Sequence, residues 1–226
     1  HTEIGTYVEA ALTSELQGNL IDLCPVGALT SKPYAFTARP WELRHTETID
    51  VHDAVGSNIR VDTRGRQVMR VLPRLNEEVN EEWISDKTRF ACDGLAKRRL
   101  DTVYVKEDGK LQASDWNTAF DVIRDRLDGV EGTRIAAVAG DLACAESMTA
   151  LKDLMTALES PNIDCRQDGA RIGTGARAGY LFNTTIAGIE DADFCLLVGT
   201  DPRFEASVLN ARLRKRYLRG GFKIFS

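Results

Sequence analysis

The sequence is short of thiols, imidazoles and long apolar runs, and each shortage closes off a class of protein. It has five cysteines and three histidines in 226 residues. Cys24, Cys92, Cys144, Cys165 and Cys195 are odd in number and far apart, and no two form a C-x-x-C pair. That excludes a secreted disulfide framework and points to a reducing compartment. It also leaves the chain by itself without a complete zinc or cluster site. His1, His45 and His52 have no Cys or carboxylate partner at metal-ligand spacing and read as surface residues. No apolar stretch approaches the roughly 18 residues of a membrane span, and no signal-peptide pattern opens the chain. Direct membrane insertion is therefore not expected. Excess positive charge is missing too: a net charge of −5 and a pI near 5.4 argue against a nucleic-acid partner. No Ser/His/Asp or Cys/His constellation can be assembled, and there is no internal repeat. What remains is ordinary globular composition, 43% hydrophobic and 28% charged, long enough for one or two domains with a real core.

The most informative stretch is Gly18-Asn19-Leu20-Ile21-Asp22-Leu23-Cys24-Pro25-Val26-Gly27-Ala28-Leu29. An apolar run delivers one cysteine into a turn. Pro25 fixes φ and removes a donor, Gly27 permits a left-handed or close approach, and Ala28-Leu29 restart an apolar segment. A Cys-Pro turn of this kind supplies the last thiolate of a bacterial ferredoxin cluster, the other three coming from a separate C-x-x-C-x-x-C run. The competing reading is a small buried hydrophobe beside a turn.

Around this turn the pattern predicts first a short amphipathic helix over Thr6–Leu16, carried by Val8, Ala11, Leu12 and Leu16. Lys32-Pro33 and Arg39-Pro40-Trp41 read as extended, with Trp41 as a packing anchor. Residues 46–73 read as β, with Ile59, Val61 and Thr63 alternating against Arg60 and Asp62, a turn at Arg64-Gly65, and a return strand from Gln67 to Leu72. Trp83, Ile84 and Phe90 are the expected small core of this module, and Lys97-Arg98-Arg99 a solvated run. The remainder alternates in an α/β manner. A strand at Thr102–Val105 turns at Asp108-Gly109. Asp115 caps a helix to Leu127 whose apolar face is Trp116, Ala119, Phe120, Ile123 and Leu127. A strand at Arg134–Ala139 and a helix at Glu146–Leu158 follow. Phe194–Val198 reads as a strand buried on both faces, turned by Gly199-Thr200-Asp201-Pro202 into a helix from Glu205 to Leu218. Gly220-Gly221 then precede another strand. This is a βαβ unit, so the expectation is an open, largely parallel sheet with covering helices.

Two glycine-bearing stretches invite a ligand. Gly173-Thr174-Gly175-Ala176-Arg177-Ala178-Gly179 has the wrong spacing and a polar lead-in for a dinucleotide fingerprint, and reads as a loop. The turn Gly199–Arg203 stands at the carboxyl end of a strand, where open α/β sheets bind ligands, but position is its only credential.

Gly5–Glu9, Ser14-Glu15-Leu16, the run from Gly18 to Phe36, Thr37–Glu42, Asp53–Ile59, Glu81–Phe90, Asn183–Gly188 and Leu197–Ala206 together resemble one family, in order along nearly the whole chain. It is the large iron–sulfur subunit (the mitochondrial 75 kDa type and its bacterial counterpart) of proton-pumping NADH:quinone oxidoreductase, respiratory complex I. The family subunit is longer at both ends, so the chain reads as an internal piece.

The resemblance implies an α/β architecture in three parts. Residues 1–45 would end a ferredoxin-like 4Fe-4S domain. Residues 46–101 would be a degenerate 4Fe-4S-type β module of molybdopterin-oxidoreductase kind. Residues 102–226 would begin a truncated, open parallel-sheet, molybdopterin-oxidoreductase-like domain. It implies Cys24 as ligand to a 4Fe-4S cluster whose remaining ligands lie upstream, electron transfer from NADH and flavin toward quinone, and no molybdopterin. Expected partners are other complex I subunits, including the flavin-bearing and quinone-side ones. The expected place is peripheral, on the cytoplasmic face of the bacterial inner membrane or the matrix side of the mitochondrial one. The β module also resembles the small cluster domain that opens formate dehydrogenases. There, cysteines occupy the turn before the first long strand and a site just ahead of a Lys-x-Arg-Phe segment. Here those places read Asp50–Asn58 and Ser85, ahead of Lys87-Thr88-Arg89-Phe90, and Cys92 nearby stands alone. Serine hydroxyls are poor substitutes for thiolates on iron, so this module reads as a cluster-free scaffold. The rival readings are a molybdopterin-dependent dehydrogenase fragment and a cluster-free structural or interaction domain.

Overall fold

Three antiparallel strands carry the β module: β1 (Arg44–Ile49), β2 (Asn58–Arg64) and β3 (Gln67–Pro73), in the order β1-β2-β3. The computed structural model describes residues 11–140, 142–165, 173 and 175–226. The β2–β3 turn falls at Gly65, whose φ of +61° is left-handed and suits glycine. Alternation along β2 sends Ile59 to one face, where it packs with Val71 and Ile84, and Val61, Val68 and Cys92 close over them. The other face holds a surprise: Asp62 is completely buried. The register explains it. Asp62 stands opposite His45 on β1, and a bulge between Asp62 and Thr63 brings Arg70 of β3 opposite it on the other side. His45 Nδ1 lies 2.7 Å from Oδ1, Arg60 Nε donates to Oδ1 at 2.9 Å, and Arg70 Nε donates to Oδ2 at 2.8 Å. Tyr34 stacks on the Arg70 guanidinium, 4.6 Å from ring centre to carbon. His45 is therefore a half-exposed member of an ion cluster, not a free surface residue.

The loop after β3 is organised by buried Asn80. Its amide donates to the carbonyls of Arg74 and Trp83, and its oxygen accepts from the Asn58 N–H. Then come α2 (Asp86–Phe90) and a 3-10 turn, Ala91–Ala96. Ile84 is fully buried, as expected, but Phe90 is exposed. Five residues make barely more than one helical turn, and α2 spends its inner side on Thr88 and Arg89.

Before the β module, α1 (Asn19–Leu23) leads into the Cys24 turn. The helix expected over Thr6–Leu16 falls partly outside the described residues. Ala11–Ser14 carry no helix and 15–18 form a turn, so among the described residues helix begins at Asn19. Arg39 is extended, but Pro40–Glu42 form a 3-10 turn with Pro40 at its first position, where its missing N–H costs nothing. Trp41 is consequently turned out to solvent, not buried as an anchor.

By contacts the chain divides into two compact units, Arg98–Tyr180 and, together, His1–Lys97 with Leu181–Ser226. The first contains the hairpin β4 (Val103–Glu107) and β5 (Lys110–Ser114), α3 (Trp116–Leu127), β6 (Ala136–Val138), α4 (Ala145–Ala157) and β7 (Asn162–Asp164), with β6 and β7 parallel. Asp115 caps α3 by accepting from the N–H groups of Asn117 and Thr118. The apolar face read for α3 is present, but Trp116, Phe120 and Ile123 are exposed; the two rings stack on each other at 5.6 Å.

The other unit adds β8 (Phe194–Leu196), α5 (Pro202–Glu205), α6 (Ser207–Leu218) and β9 (Lys223–Phe225), with β8 and β9 parallel, a βαβ unit as expected. Phe194, Leu196 and Val198 are exposed, contrary to the expectation of a doubly buried strand, because β8 has its one helix-covered neighbour and nothing over the alternate side chains. Ile189, Leu213 and Phe222 form the core of this part. It is fastened to the loop after β3 by Arg212, almost fully buried. Arg212 donates to the carbonyls of Val79 and Glu77 and pairs with Glu190 at 2.8 Å, while Lys215 bridges Glu190 and Glu81. Such a network is costly to break, because each partner left alone is a desolvated charge. No helix among the described residues is long and apolar enough to cross a membrane.

The Asp62 cluster gives a pH test. Burial alone would push its carboxyl up, but hydrogen bonds from Arg70, His45 and Arg60 outweigh this and hold it below the ordinary value. A depressed carboxyl contributes stability above its unfolded pKa of about 3.9 and loses it as pH falls through the lower folded value. Asp62→Asn is expected to cost about 2 kcal/mol at pH 7, less than a fully buried pair because Arg60 and His45 keep contact with water. In urea unfolding followed by tryptophan fluorescence, the difference should shrink as pH falls below about 4 and through the depressed folded value.

Candidate functional site

Cys24 is the C-cap of α1, extended at φ −75° and ψ 103°. Pro25 and Val26 carry the chain round, the Gly27 N–H returns to the Cys24 carbonyl at 3.3 Å, and Gly27 has a φ of +67° with open space where a Cβ would stand. The turn folds the following backbone over the sulfur. N–H groups of Leu29, then Ala28, Val26 and Gly27, face the thiol and hold its pKa below the ordinary value. A thiolate surrounded by backbone donors is a metal ligand or nucleophile in waiting.

This turn is clamped to the β module by polar contacts that sequence reasoning missed. Asn19 is buried, and its amide donates to the carbonyls of Leu16 at 2.9 Å and Ile84 at 2.8 Å. Its oxygen accepts from the Ile84 N–H at 3.2 Å and from Arg89 Nη2 at 3.1 Å. The same Arg89 nitrogen reaches Asp22 Oδ2 at 2.5 Å. The Gly18 N–H donates to Asp86 Oδ1 at 2.7 Å. A Cβ on Gly18 would stand 2.8 Å from Arg89 Cδ and Nε and from Asp86 Oδ1, so this close approach requires glycine. The signals available beforehand were Gly18 itself and the Lys87-Thr88-Arg89-Phe90 segment; nothing in the spacing paired 19 with 84.

The places where a cluster-bearing relative of the β module would carry cysteines do come together. Ser85 caps α2, its Oγ accepting from the Thr88 N–H at 3.1 Å. The Thr88 hydroxyl donates to Asp50 Oδ2 at 2.8 Å, so its single proton is spent there, and Ser85 must donate to Thr88 across their 2.8 Å contact. Asp50, Ser85 and Thr88 are all buried, as is Ser57, whose Oγ has no partner. Asp53 beside them is pushed up chiefly by burial and further by Asp50. This is a neutral-hydroxyl and carboxylate network with no thiolate. Cys92 packs against Ile59, Val71 and Ile84, and burial, aided by Asp93, pushes its thiol up.

The other sequence candidates do not converge on a site. Of the glycine-rich stretch Gly173–Gly179, Thr174 lies outside the described residues, as do residues 166–172 of its lead-in, and Arg177–Gly179 form a 3-10 turn. In the Gly199 turn the polar groups serve the fold: Asp201 caps α5, Thr200 bonds Glu205, and Arg203 pairs with Glu15 at 2.8 Å. No group of three or more His, Cys, Asp or Glu among the described residues could hold a metal ion, so Cys24 fits as one ligand and not as a whole site.

Residues 99–226, more than half of the chain, match the molybdopterin oxidoreductase family model. Residues 43–93 match the NADH-ubiquinone oxidoreductase NDSU1/NuoG-like 4Fe-4S domain, and residues 1–30 the NADH-quinone oxidoreductase subunit 3 ferredoxin-like domain. The chain is 58% identical over 228 residues to the mitochondrial NADH-ubiquinone oxidoreductase 78 kDa subunit of Candida albicans, covering 99% of this chain and 32% of that one. The chain belongs to the large iron–sulfur subunit family of NADH:quinone oxidoreductase. It is also 53% identical over 224 residues to the G-type subunit of the NADH-quinone oxidoreductase of Rickettsia felis, 99% of this chain and 33% of that one. To the mitochondrial NADH dehydrogenase [ubiquinone] iron-sulfur protein 1 of Solanum tuberosum it is 56% identical over 214 residues, 94% and 29% respectively. The chain thus spans about a third of the length of these relatives.

The two thiols should part company in solution. Treated with iodoacetamide at pH 7.5, Cys24 is expected to alkylate at least about tenfold faster than Cys92, because the thiolate is the reacting species and Cys92 is both protonated and packed. Peptide mass mapping over time measures this; equal rates would contradict the turn geometry.

Proposed function

We propose that this chain belongs to the electron-input arm of NADH:quinone oxidoreductase and that Cys24 supplies one thiolate to a 4Fe-4S cluster whose other ligands lie outside it. The observation that carries the reading is the Cys24 turn, with four backbone N–H groups facing its sulfur, in a chain matched along its length to iron–sulfur subunits. The cluster supplies one-electron acceptance and release on the path from NADH and flavin toward quinone. The chain's own residues do the rest. Leu20 and Leu23 flank the ligand with apolar side chains, the N–H groups of 26–29 offer donors to sulfur, and Pro25 and Gly27 fix the turn. Donors of this kind raise a cluster's potential and burial tunes it further.

On this reading residues 1–45 end a ferredoxin-like domain and residues 46–101 are a cluster-type β module without its cluster. Residues 102–226 begin an open-sheet, molybdopterin-oxidoreductase-like domain, a reading that the parallel pairs β6–β7 and β8–β9 support. The Asp50–Thr88–Ser85 network supports the second assignment, since its hydroxyls are engaged with one another and are hard oxygen donors where iron needs soft thiolate. The α/β domain acts as scaffold and binds no pterin. The partners are the flavin-bearing and quinone-side subunits. The arm stands peripherally on the cytoplasmic face of a bacterial inner membrane or the matrix side of a mitochondrial one.

The test is Cys24→Ser in the assembled oxidoreductase, with Cys92→Ser as control. Cys24→Ser is expected to remove or shift one tetranuclear signal in low-temperature paramagnetic resonance and to collapse quinone reduction. Oxidation of NADH by an artificial flavin-site acceptor should survive. Cys92→Ser should leave every signal in place. Retention of all signals and full quinone reduction in Cys24→Ser would sink the ligand assignment. Loss of a signal in Cys92→Ser would mean the β module holds a cluster.

A further inference from the structure

Helix α1 is five residues long, well below the length at which a helix holds itself together in water. Its N-cap residue, Gly18, offers no side-chain cap. The orientation of α1, and of the cysteine that ends it, must therefore come from outside. One side chain supplies much of it. Arg89, on α2, is 5% exposed, and its Nη2 bridges Asn19 Oδ1 and the Asp22 carboxylate. Asn19 and Asp22 lie three residues apart on one face of α1, five and two residues before Cys24. A contact at both points fixes the rotation of the helix about its axis as well as its distance.

We propose that Arg89 is a positioning residue for the Cys24 ligand: from the neighbouring module it sets the angle at which the Cys24 sulfur and the N–H groups of residues 26–29 meet the cluster. This rests on the ligand reading above. Asp22 neutralises the guanidinium, so the effect runs through geometry more than through charge. The rigid guanidinium matters, because both contacts leave one of its nitrogens, Nη2, whereas a lysine keeps the charge but presents a point donor on a flexible stem. Gly18 belongs to the same device. Its missing Cβ lets the Arg89 stem pass at contact distance, and adding the methyl would push on the arginine from the other side.

The experiment is redox titration of the assembled oxidoreductase followed by low-temperature paramagnetic resonance, on Arg89→Lys and Gly18→Ala. Val208→Ala, a truncation at a buried position in α6, controls for loss of stability alone. Arg89→Lys is expected to keep the tetranuclear signal but alter its g-values. Its midpoint should move negative by up to about tenfold in the reduced-to-oxidised ratio at fixed poise, or about 59 mV for one electron. Gly18→Ala should move it the same way, and Val208→Ala should lower yield without moving it. If Cys24→Ser removes the signal while Arg89→Lys and Gly18→Ala leave potential and g-values unchanged, the positioning role is overturned and the ligand reading stands. If Cys24→Ser leaves every signal, both fall. Should Arg89→Lys fail to assemble, Gly18→Ala decides alone, because it alters the same contact while leaving the arginine in place.

Discussion

One buried arginine joins the two parts of this chain that matter chemically. Arg89 sits where α1 and α2 meet, and its partners, Asn19 and Asp22, are the residues that orient the Cys24 turn. Burying a guanidinium is costly unless it is paired, and here an amide oxygen and a carboxylate both meet Nη2, while Nε is left without a partner. Asn19 is in turn held by both backbone groups of Ile84, the most deeply buried apolar residue of the β module. The Cys24 turn is thus tied to the Ile59–Val71–Ile84 core through hydrogen bonds and not through apolar packing of its own. Leu20 and Leu23 remain exposed.

That dependence gives the β module a purpose that needs no cluster within it. Where thiolates would stand, a directed chain of hydroxyls runs from Ser85 through Thr88 to the Asp50 carboxylate. Each group is buried, so each must have a partner or carry a penalty of about 1–3 kcal/mol. The chain satisfies all but the Ser57 hydroxyl. Ser85 also caps α2, which fixes where Arg89 emerges. The serine that caps α2 therefore also helps place the arginine that contacts Asn19 and Asp22.

Much of the architecture was legible in the residues. Alternation from Ile59 to Thr63, the left-handed Gly65 turn, the Asp115 cap and the βαβ unit closed by Gly220-Gly221 are local signals, and local signals survive in the fold. The departures share one cause. Trp41, Phe90, Trp116 and Phe194 read as buried because they are large and apolar, yet burial is decided by what covers them, and among the described residues these four side chains stay exposed. The hidden polar groups depart in the opposite direction. Asp62 reads as the solvent face of an alternating strand, and only the register, with a bulge that sets Arg70 opposite it, reveals it as a buried hub. Asn19 and Arg89 are 70 positions apart and carry no motif, so their contact is a tertiary fact with no trace in spacing.

The cysteines show most directly how environment overrides residue type. Cys24 and Cys92 are both half-buried thiols in the same unit. Around Cys24 the neighbours are N–H groups, which stabilise the thiolate; around Cys92 they are Ile59, Val71 and Ile84, which disfavour it, with Asp93 adding like-charge repulsion. Cys195, among Ile189, Leu213 and Phe222, follows Cys92 for the same reason. A soft, deprotonated sulfur is what iron binds, and of these three thiols only the one in the proline–glycine turn is prepared to become one. The backbone of residues 25–29 thus sets Cys24 apart from Cys92 and Cys195, and the α1–α2 junction ties that turn to the β module.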